Sequence, residues 1–437
     1  MHRTPVDKDI VQSIIAQSGL ESVNTGSIRQ LMRLVTDIEN ASGIKYIRME
    51  IGVPGIDTCN IGIAAEISAL QQGVSARYPD IEGEQALKEE ASRFVKNFMG
   101  IDVNPRGCIP TVGSMQGSFT VMMVANRTDD HKEGTLFLDP GFPLHKVQCN
   151  ILGHGYRAFD VYNYRGKKLK DKLESYLYDE KVSTIMYSNP NNPAWICLNE
   201  EELQIIGELS KKYDVTVVED LAYFGMDFRK DISTPGVPPY QSSAANYTDN
   251  YIILISCSKS FSYAGQRIGL IIVSDTLFNR KYPGLRRYYN SDQFGTALIY
   301  GALYCLAAGT AHSTQFGVAA ILKAANEGTY NFIAPLREYA ERAKVMKRLF
   351  TGNGFNIVYD KDVGQPIGDG FYFTVAYPGL SGHDLVEQLL YYGISAISLE
   401  TTGSEHTEGI RACVSQIDPK QFPVLEERLK LFREHHP

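Results

Sequence analysis

Tryptophan occurs once in these 437 residues, at position 195, and cysteine seven times without a single Cys-x-x-Cys pair. An odd, scattered set of cysteines argues against a disulfide framework and suits a reducing compartment, so a cytoplasmic protein is expected. No basic run is longer than a pair such as Lys167-Lys168, and 43 Lys and Arg against 50 Asp and Glu leave a net charge of −7. That balance argues against a nucleic-acid partner. Near the start, Asp7, Lys8 and Asp9 interrupt any apolar core of a secretion signal. The stretch from Gln293 to Leu322 has no Asp, Glu, Lys or Arg, but Gly295, Gly301, Gly309, Thr310 and His312 break it up. A buried helix pair is expected there, and no membrane span. His145, His154 and His383 have no metal-like neighbours, so no metal site is expected. Gly153-His154-Gly155 precedes a strand-like run, Tyr156 to Val161, and reads as a turn. A chain of this length buries roughly three-quarters of its unfolded surface and has room for two domains.

What is present centres on Lys259. The apolar run Tyr251 to Ile255 leads into Ser256-Cys257-Ser258-Lys259, with Arg267 and Gly269 close behind. An amine at the end of a buried strand is partly desolvated, which favours the neutral form that condenses with a carbonyl. The serines before it and the arginine after it suit a phosphate-bearing aldehyde, and pyridoxal phosphate is the obvious candidate. Two earlier strands end in polar groups as well. Val215 to Asp220 closes on a carboxylate with Tyr223 three residues on, and Val182 to Tyr187 runs into Ser188-Asn189-Pro190-Asn191-Asn192-Pro193. Between them Glu200 to Tyr213 is amphipathic, with Leu203, Ile205, Ile206 and Leu209 on one face, and Asn199 with Glu202 forms a capping box. Strand, helix, strand is a right-handed βαβ unit. Ligands gather at the carboxyl edge of such sheets, so Asn192, Asp220, Tyr223 and Lys259 are expected at one site.

These motifs closely resemble the class I/II aminotransferases, pyridoxal phosphate enzymes of fold type I. The resemblance is carried by Asn189-Pro190-Asn191-Asn192-Pro193, Asp220-x-x-Tyr223, Ser256-x-Ser258-Lys259 with Arg267-x-Gly269, and Arg411-Ala412-Cys413. Tyr78-Pro79 with Gly83, Gly113-Ser114-Met115-Gln116 and Asp139-Pro140-Gly141-Phe142-Pro143 add to it. The matches keep the family's order over nearly the whole chain. The resemblance implies that Lys259 forms the Schiff base with the cofactor and carries the proton between the substrate α-carbon and the cofactor. Asp220 would keep the pyridine nitrogen protonated, and Tyr223 and Asn192 would hydrogen-bond the ring's phenolate oxygen. Ser256, Arg267 and the amides of Gly113, Ser114 and Met115 would hold the phosphate, at the start of a helix expected from Ser114 to Asn126. Phe142 would stack on the ring. Arg411 would clamp the substrate α-carboxylate, helped by backbone at Gly52. Tyr78 would reach the phosphate of a second subunit, which implies a homodimer with shared active sites.

The family usually continues Asn-Pro with Thr-Gly, where this chain has Ala194-Trp195. A tryptophan lacks glycine's backbone freedom, and Trp195 is expected either to narrow the substrate pocket or to pack in the core. Met115 and Phe142 also depart from the commoner residues, in detail rather than in reaction class. The fold class expected is α/β: a large domain at 55–325 with a mostly parallel sheet flanked by helices, and a smaller α+β domain from 1–54 and 326–437. Helices are expected near Val6 to Ala16, Ser27 to Ala41 and Gln421 to Arg433. A further helical run, Ala319 to Phe350, is expected to break near Pro335. The expected activity is transfer of an amino group between an amino acid and a 2-oxo acid by a ping-pong mechanism. The alternatives are a pyridoxal phosphate C–S β-lyase and a cofactor-binding regulator without turnover. Arg286 or Arg287 would read a side-chain carboxylate, or else form a solvated basic turn.

Overall fold

A computed structural model describes residues 3–20, 22–23 and 27–437. The chain forms two compact units: Ile56–Asn191 with Cys197–Leu336, and Met1–Gly55 with Asn192–Ile196 and Arg337–Pro437. The outer divisions fall at 55/56 and 336/337, whereas the sequence placed them at 54/55 and 325/326. The short piece Asn192–Ile196 was expected within the larger unit and groups instead with the smaller, because Trp195 packs there. Its indole sits so close to Gly370 that a Cβ on that glycine would lie 2.1 Å from Trp195 Cζ2.

Seven strands form the sheet of the larger unit: β1 (Cys108–Thr111), β2 (Gly134–Asp139), β3 (Gly155–Asp160), β4 (Val182–Ser188), β5 (Thr216–Leu221), β6 (Tyr251–Ser256) and β7 (Gly269–Val273). Their order is β1-β7-β6-β5-β4-β2-β3, and only β7 runs against the rest. Strands covered on both faces need continuous apolar runs rather than alternation, and Ile252-Ile253-Leu254-Ile255 on β6 is entirely buried. Helix α1 (Gly113–Ala125) lays Val121, Met122 and Val124 into the same core as Ile252, Leu254 and Ile271. Each such side chain contributes roughly 1.5–3 kcal/mol by leaving water. Helix α2 (Pro143–Leu152) starts with proline at its first turn, where no amide donor is needed. Helix α3 (Glu200–Tyr213) has the capping box read from the sequence: Asn199 Oδ1 accepts from Glu202 N at 2.9 Å, and Glu202 Oε2 accepts from Asn199 N at 2.9 Å. The same Glu202 carboxylate pairs with Arg165 at 2.6 Å.

The uncharged stretch folds as a helical run from Phe294 to Ala307, with a π-helical segment Ala297–Leu303, followed by the helix His312–Asn326. No described helix is long and apolar enough to cross a membrane. The break expected at Pro335 lies earlier, at 327–332. Pro335 stands in the first turn of α4 (Ile333–Gly352), where its missing N–H has no intrahelical partner to lose.

In the smaller unit four strands, β8 (Asn356–Ile357), β9 (Tyr372–Ala376), β10 (Ile397–Ser398) and β11 (Gly409–Cys413), form an antiparallel sheet ordered β10-β11-β9-β8. A parallel pair, Ile47–Arg48 with Ile394–Ser395, and helices Lys8–Gln17, Ile28–Ser42, Gly382–Tyr391 and Phe422–His435 also belong to it.

Candidate active site

Asp220 is the penultimate residue of β5, opposite Ser188 on β4 and Leu254 on β6. It is buried, and its Oδ1 has no hydrogen-bond partner. Burial raises its pKa to about 6, against the lowering pull of the Lys259 ammonium and of the Ala222 amide. A carboxylate held dry with one oxygen unmatched is a receptor for a cationic donor. His145, on the first turn of α2, brings Nε2 to 3.8 Å from Asp220 Oδ2. That distance is too long for a hydrogen bond, and burial pushes the imidazole down to about 4. His145 is therefore a neutral neighbour near pH 7 rather than a counter-ion. Its ring meets Phe142 edge-on, with centroids 5.5 Å apart. From the sequence, His145 carries no expectation beyond its lack of metal-like neighbours. The available signal was its spacing, three residues after Phe142, which puts both on one side of the helix start.

Lys259 lies on a single helical turn, Cys257–Ser260, that directly continues β6. Ser256 caps the turn by accepting from Ser258 N at 3.3 Å. Ser260 Oγ donates to the Phe224 carbonyl at 3.0 Å, tying the Lys259 turn to the segment after Asp220 and Tyr223. Tyr223 is buried in that segment. The loops after β2, β4 and β5 are knitted together at the same edge. Asn191 Nδ2 donates to the Pro140 carbonyl at 2.8 Å, and Asn189 N to the Asp220 carbonyl at 3.3 Å.

The start of α1 faces Arg267 closely. A Cβ on Gly113 would stand 2.6 Å from Arg267 Nη2, and Gly113 has φ +68°. A Cβ on Gly269 would stand 2.7 Å from Ser114 N. The Arg267-x-Gly269 spacing is thus what lets the helix start and the guanidinium converge. Helix α1 begins one residue before the Ser114 start read from the sequence. Gln116 Oε1 accepts from Val112 N at 2.7 Å and Gln148 Nε2 donates to the Met115 carbonyl at 3.0 Å, so the first turn is braced from two sides. Free amides, a helix dipole and a guanidinium form an anion site.

A second constellation lies wholly in the smaller unit. Arg411 on β11 is buried; Nη1 donates to Asn192 Oδ1 at 3.3 Å and Nη2 to the Glu50 carbonyl at 2.8 Å. Its Nε is buried without a partner. The backbone on Arg411 is that of Glu50, two residues before the expected Gly52, and Gly52 instead abuts Tyr372. Trp195 adopts φ +63° and is 1% exposed.

One expected group is not brought to the cradle. Arg286 pairs with Asp292 at 2.8 Å, and the neighbouring Tyr289 donates to the Met123 carbonyl at 2.7 Å. That contact is near the far end of α1, about 15 Å along the helix from Gly113. Tyr78 is 92% exposed in this chain. Among the described residues no cluster of His, Cys, Asp and Glu has the makings of a metal site.

One small molecule has a group for each feature of the cradle. Pyridoxal phosphate would offer a cationic ring nitrogen to the unmatched Asp220 oxygen, a phosphate to the start of α1 and Arg267, and an aldehyde to Lys259. The residues present fit it.

The family described as Aminotransferase class I and II matches residues 44–429. A probable aspartate aminotransferase of Methanocaldococcus jannaschii is 24% identical over 298 residues, 66% of this chain and 72% of that one. A glutamate-pyruvate aminotransferase of Escherichia coli K12 is 28% identical over 224 residues, half of each chain. The fold is that of an aspartate aminotransferase mutant from Thermus thermophilus, with TM-score 0.74 over 98% of this chain and 99% of that one, at 16% identity. The chain belongs to the class I and II aminotransferases, and its cofactor is pyridoxal 5′-phosphate.

Proposed function

We propose that this chain moves an amino group between an amino acid and a 2-oxo acid in a ping-pong cycle. The observation that carries the reading is Asp220, buried with one oxygen unmatched, on the strand beside the one that delivers Lys259. Bound pyridoxal phosphate supplies a reactive carbonyl and a ring that withdraws electrons from the substrate α-carbon. The rest is done by this chain's residues. Lys259 Nζ removes and returns the α-proton as a general base. Asp220, as carboxylate, keeps the ring nitrogen protonated, and Tyr223 and Asn192 hydrogen-bond the phenolate oxygen. Ser256, Arg267 and the amides of Gly113, Ser114 and Met115 grip the phosphate, while Phe142 covers the ring face. Arg411 takes the substrate α-carboxylate with help from main chain near Gly52. Tyr78 serves the phosphate of a second copy, so the working form is a homodimer in the cytoplasm. The two named relatives support a substrate pair of amino acid and 2-oxo acid.

The test is spectroscopic. The loaded protein is mixed with single amino acids and no oxo acid. The reading expects conversion of the cofactor to its amine form with one equivalent of 2-oxo acid released. Pyruvate and ammonia from cysteine-like substrates, with no amine form, would assign it to β-elimination, and an unchanged spectrum with the whole panel would make it a binding protein.

A further inference from the structure

Tyr372 on β9 lies opposite Cys413, and Arg411 lies opposite Thr374, so tyrosine and arginine are diagonal neighbours on one face of the antiparallel pair. At that spacing an aromatic and a long side chain reach each other. The Arg411 guanidinium carbon stands 4.5 Å from the centre of the Tyr372 ring. Tyr372 is held in turn by Trp195, with centroids 6.2 Å apart and planes at 71°. Both rings are almost fully buried, at 2% and 1% exposure. Space for them comes from two glycines. A Cβ on Gly52 would lie 2.4 Å from Tyr372 Oη, and one on Gly370 would lie 2.1 Å from Trp195 Cζ2.

The geometry points to Tyr372 and Trp195 as positioning residues for substrate-carboxylate recognition, acting through Arg411 and the Gly52 main chain. This rests on the role given to Arg411 in the proposed function. Two hydrogen bonds locate the outer nitrogens of Arg411, to Asn192 and to the Glu50 carbonyl. They do not by themselves fix the tilt of the guanidinium plane. A ring face does, because a cation is drawn to the π-cloud and a flat fork stacks on it. Bidentate recognition of a carboxylate needs that plane set within about 10–20°. Trp195 supplies the backing: wedged between Gly370 and Tyr372, it stops the tyrosine from sliding away from the cation. Trp195 presents almost no surface of its own, so its effect on substrate passes through Tyr372 rather than through a narrowed pocket.

The test separates carboxylate recognition from general damage. Propionate, which binds without reacting, is titrated against the loaded parent and against Tyr372→Leu, Tyr372→Phe and Trp195→Phe. In parallel, cofactor conversion is timed with the best amino acid of a panel and with its decarboxylated amine. Loss of the ring face in Tyr372→Leu is expected to raise the propionate Kd roughly tenfold or more. Tyr372→Phe keeps the ring and should stay within about threefold of the parent, with Trp195→Phe between the two. Conversion by the decarboxylated amine should not change. Parental propionate affinity in Tyr372→Leu and Trp195→Phe overturns the inference, as does an equal loss with the amine. A parent that binds propionate and converts no amino acid refutes the functional reading instead, and the same Kd series still judges the positioning.

Discussion

The proposed cofactor cradle of the larger unit and the proposed carboxylate clamp of the smaller are built on opposite principles. The cradle collects residues from the ends of successive, mostly parallel strands: Asp220 from β5, Ser256 and Lys259 from β6, and Arg267 just before β7. Asp220 and Ser256 close apolar strands and Lys259 follows three residues on, while Arg267 precedes the antiparallel β7, whose start lies at the edge where the parallel strands end. The clamp draws on four separate stretches of chain, at Glu50, at Asn192 with Trp195, at Tyr372 on β9 and at Arg411 on β11. Its parts meet only through antiparallel register and ring packing. The cradle holds an unmatched carboxylate, whereas the clamp holds a guanidinium whose outer nitrogens are already engaged. The first waits for a cation to complete it, and the second is braced before an anion arrives.

The comparison breaks most sharply at Lys259. Lys259→Ala should slow conversion of the cofactor by any amino acid by roughly 10⁴-fold in single-turnover spectroscopy, since no other amine replaces its proton transfer. A rate within tenfold of the parent would show that another group does this work. At the clamp, Arg411→Ala should lower kcat/KM for amino acids by roughly 10²–10³-fold, because charge-assisted hydrogen bonds contribute about 1.5–3 kcal/mol each. Most of that loss should appear in KM and little in the rate with a decarboxylated amine. A loss equal for both would deny Arg411 its carboxylate.

Asp220 sharpens the contrast on the stability side. Burial raises its pKa from an ordinary 3.8 to about 6 in the cofactor-free protein, so ionising it there opposes folding by roughly 3 kcal/mol. Below about pH 4 the carboxyl is protonated folded and unfolded alike, and the penalty vanishes. It grows as pH rises toward 6 and is complete above that. Asp220→Asn should therefore stabilise the cofactor-free protein above pH 6 while impairing turnover, with no stability gain at about pH 3. Denaturant melts at the two pH values check this, and an equal shift at both would mean that ionisation is not its cause.

Much of the cradle was legible because strand-end position and local motif coincide in sequence. Val182 to Tyr187, Glu200 to Tyr213 and Tyr251 to Ile255 carry periods and caps that local geometry enforces, and β4, α3 and β6 form there. His145 was missed because its spacing from Phe142 gains meaning only once α2 turns it toward Asp220 on β5. The bracing of Arg411 by Tyr372 was also invisible, since it depends on which residues face each other across β9 and β11.

The sequence by itself determined the strands and their polar ends, because hydrophobic periodicity and capping act over a few residues. Its local motifs also placed Lys259 just beyond one strand and Asp220 at the end of its neighbour. Only the tertiary structure decided that Asn192–Ile196 leaves the unit of its flanking chain, that Trp195 backs Tyr372, and that Arg411 lies on a ring face. Those outcomes depend on side chains hundreds of residues apart competing for the same buried volume, and close packing is settled only when all of them are in place.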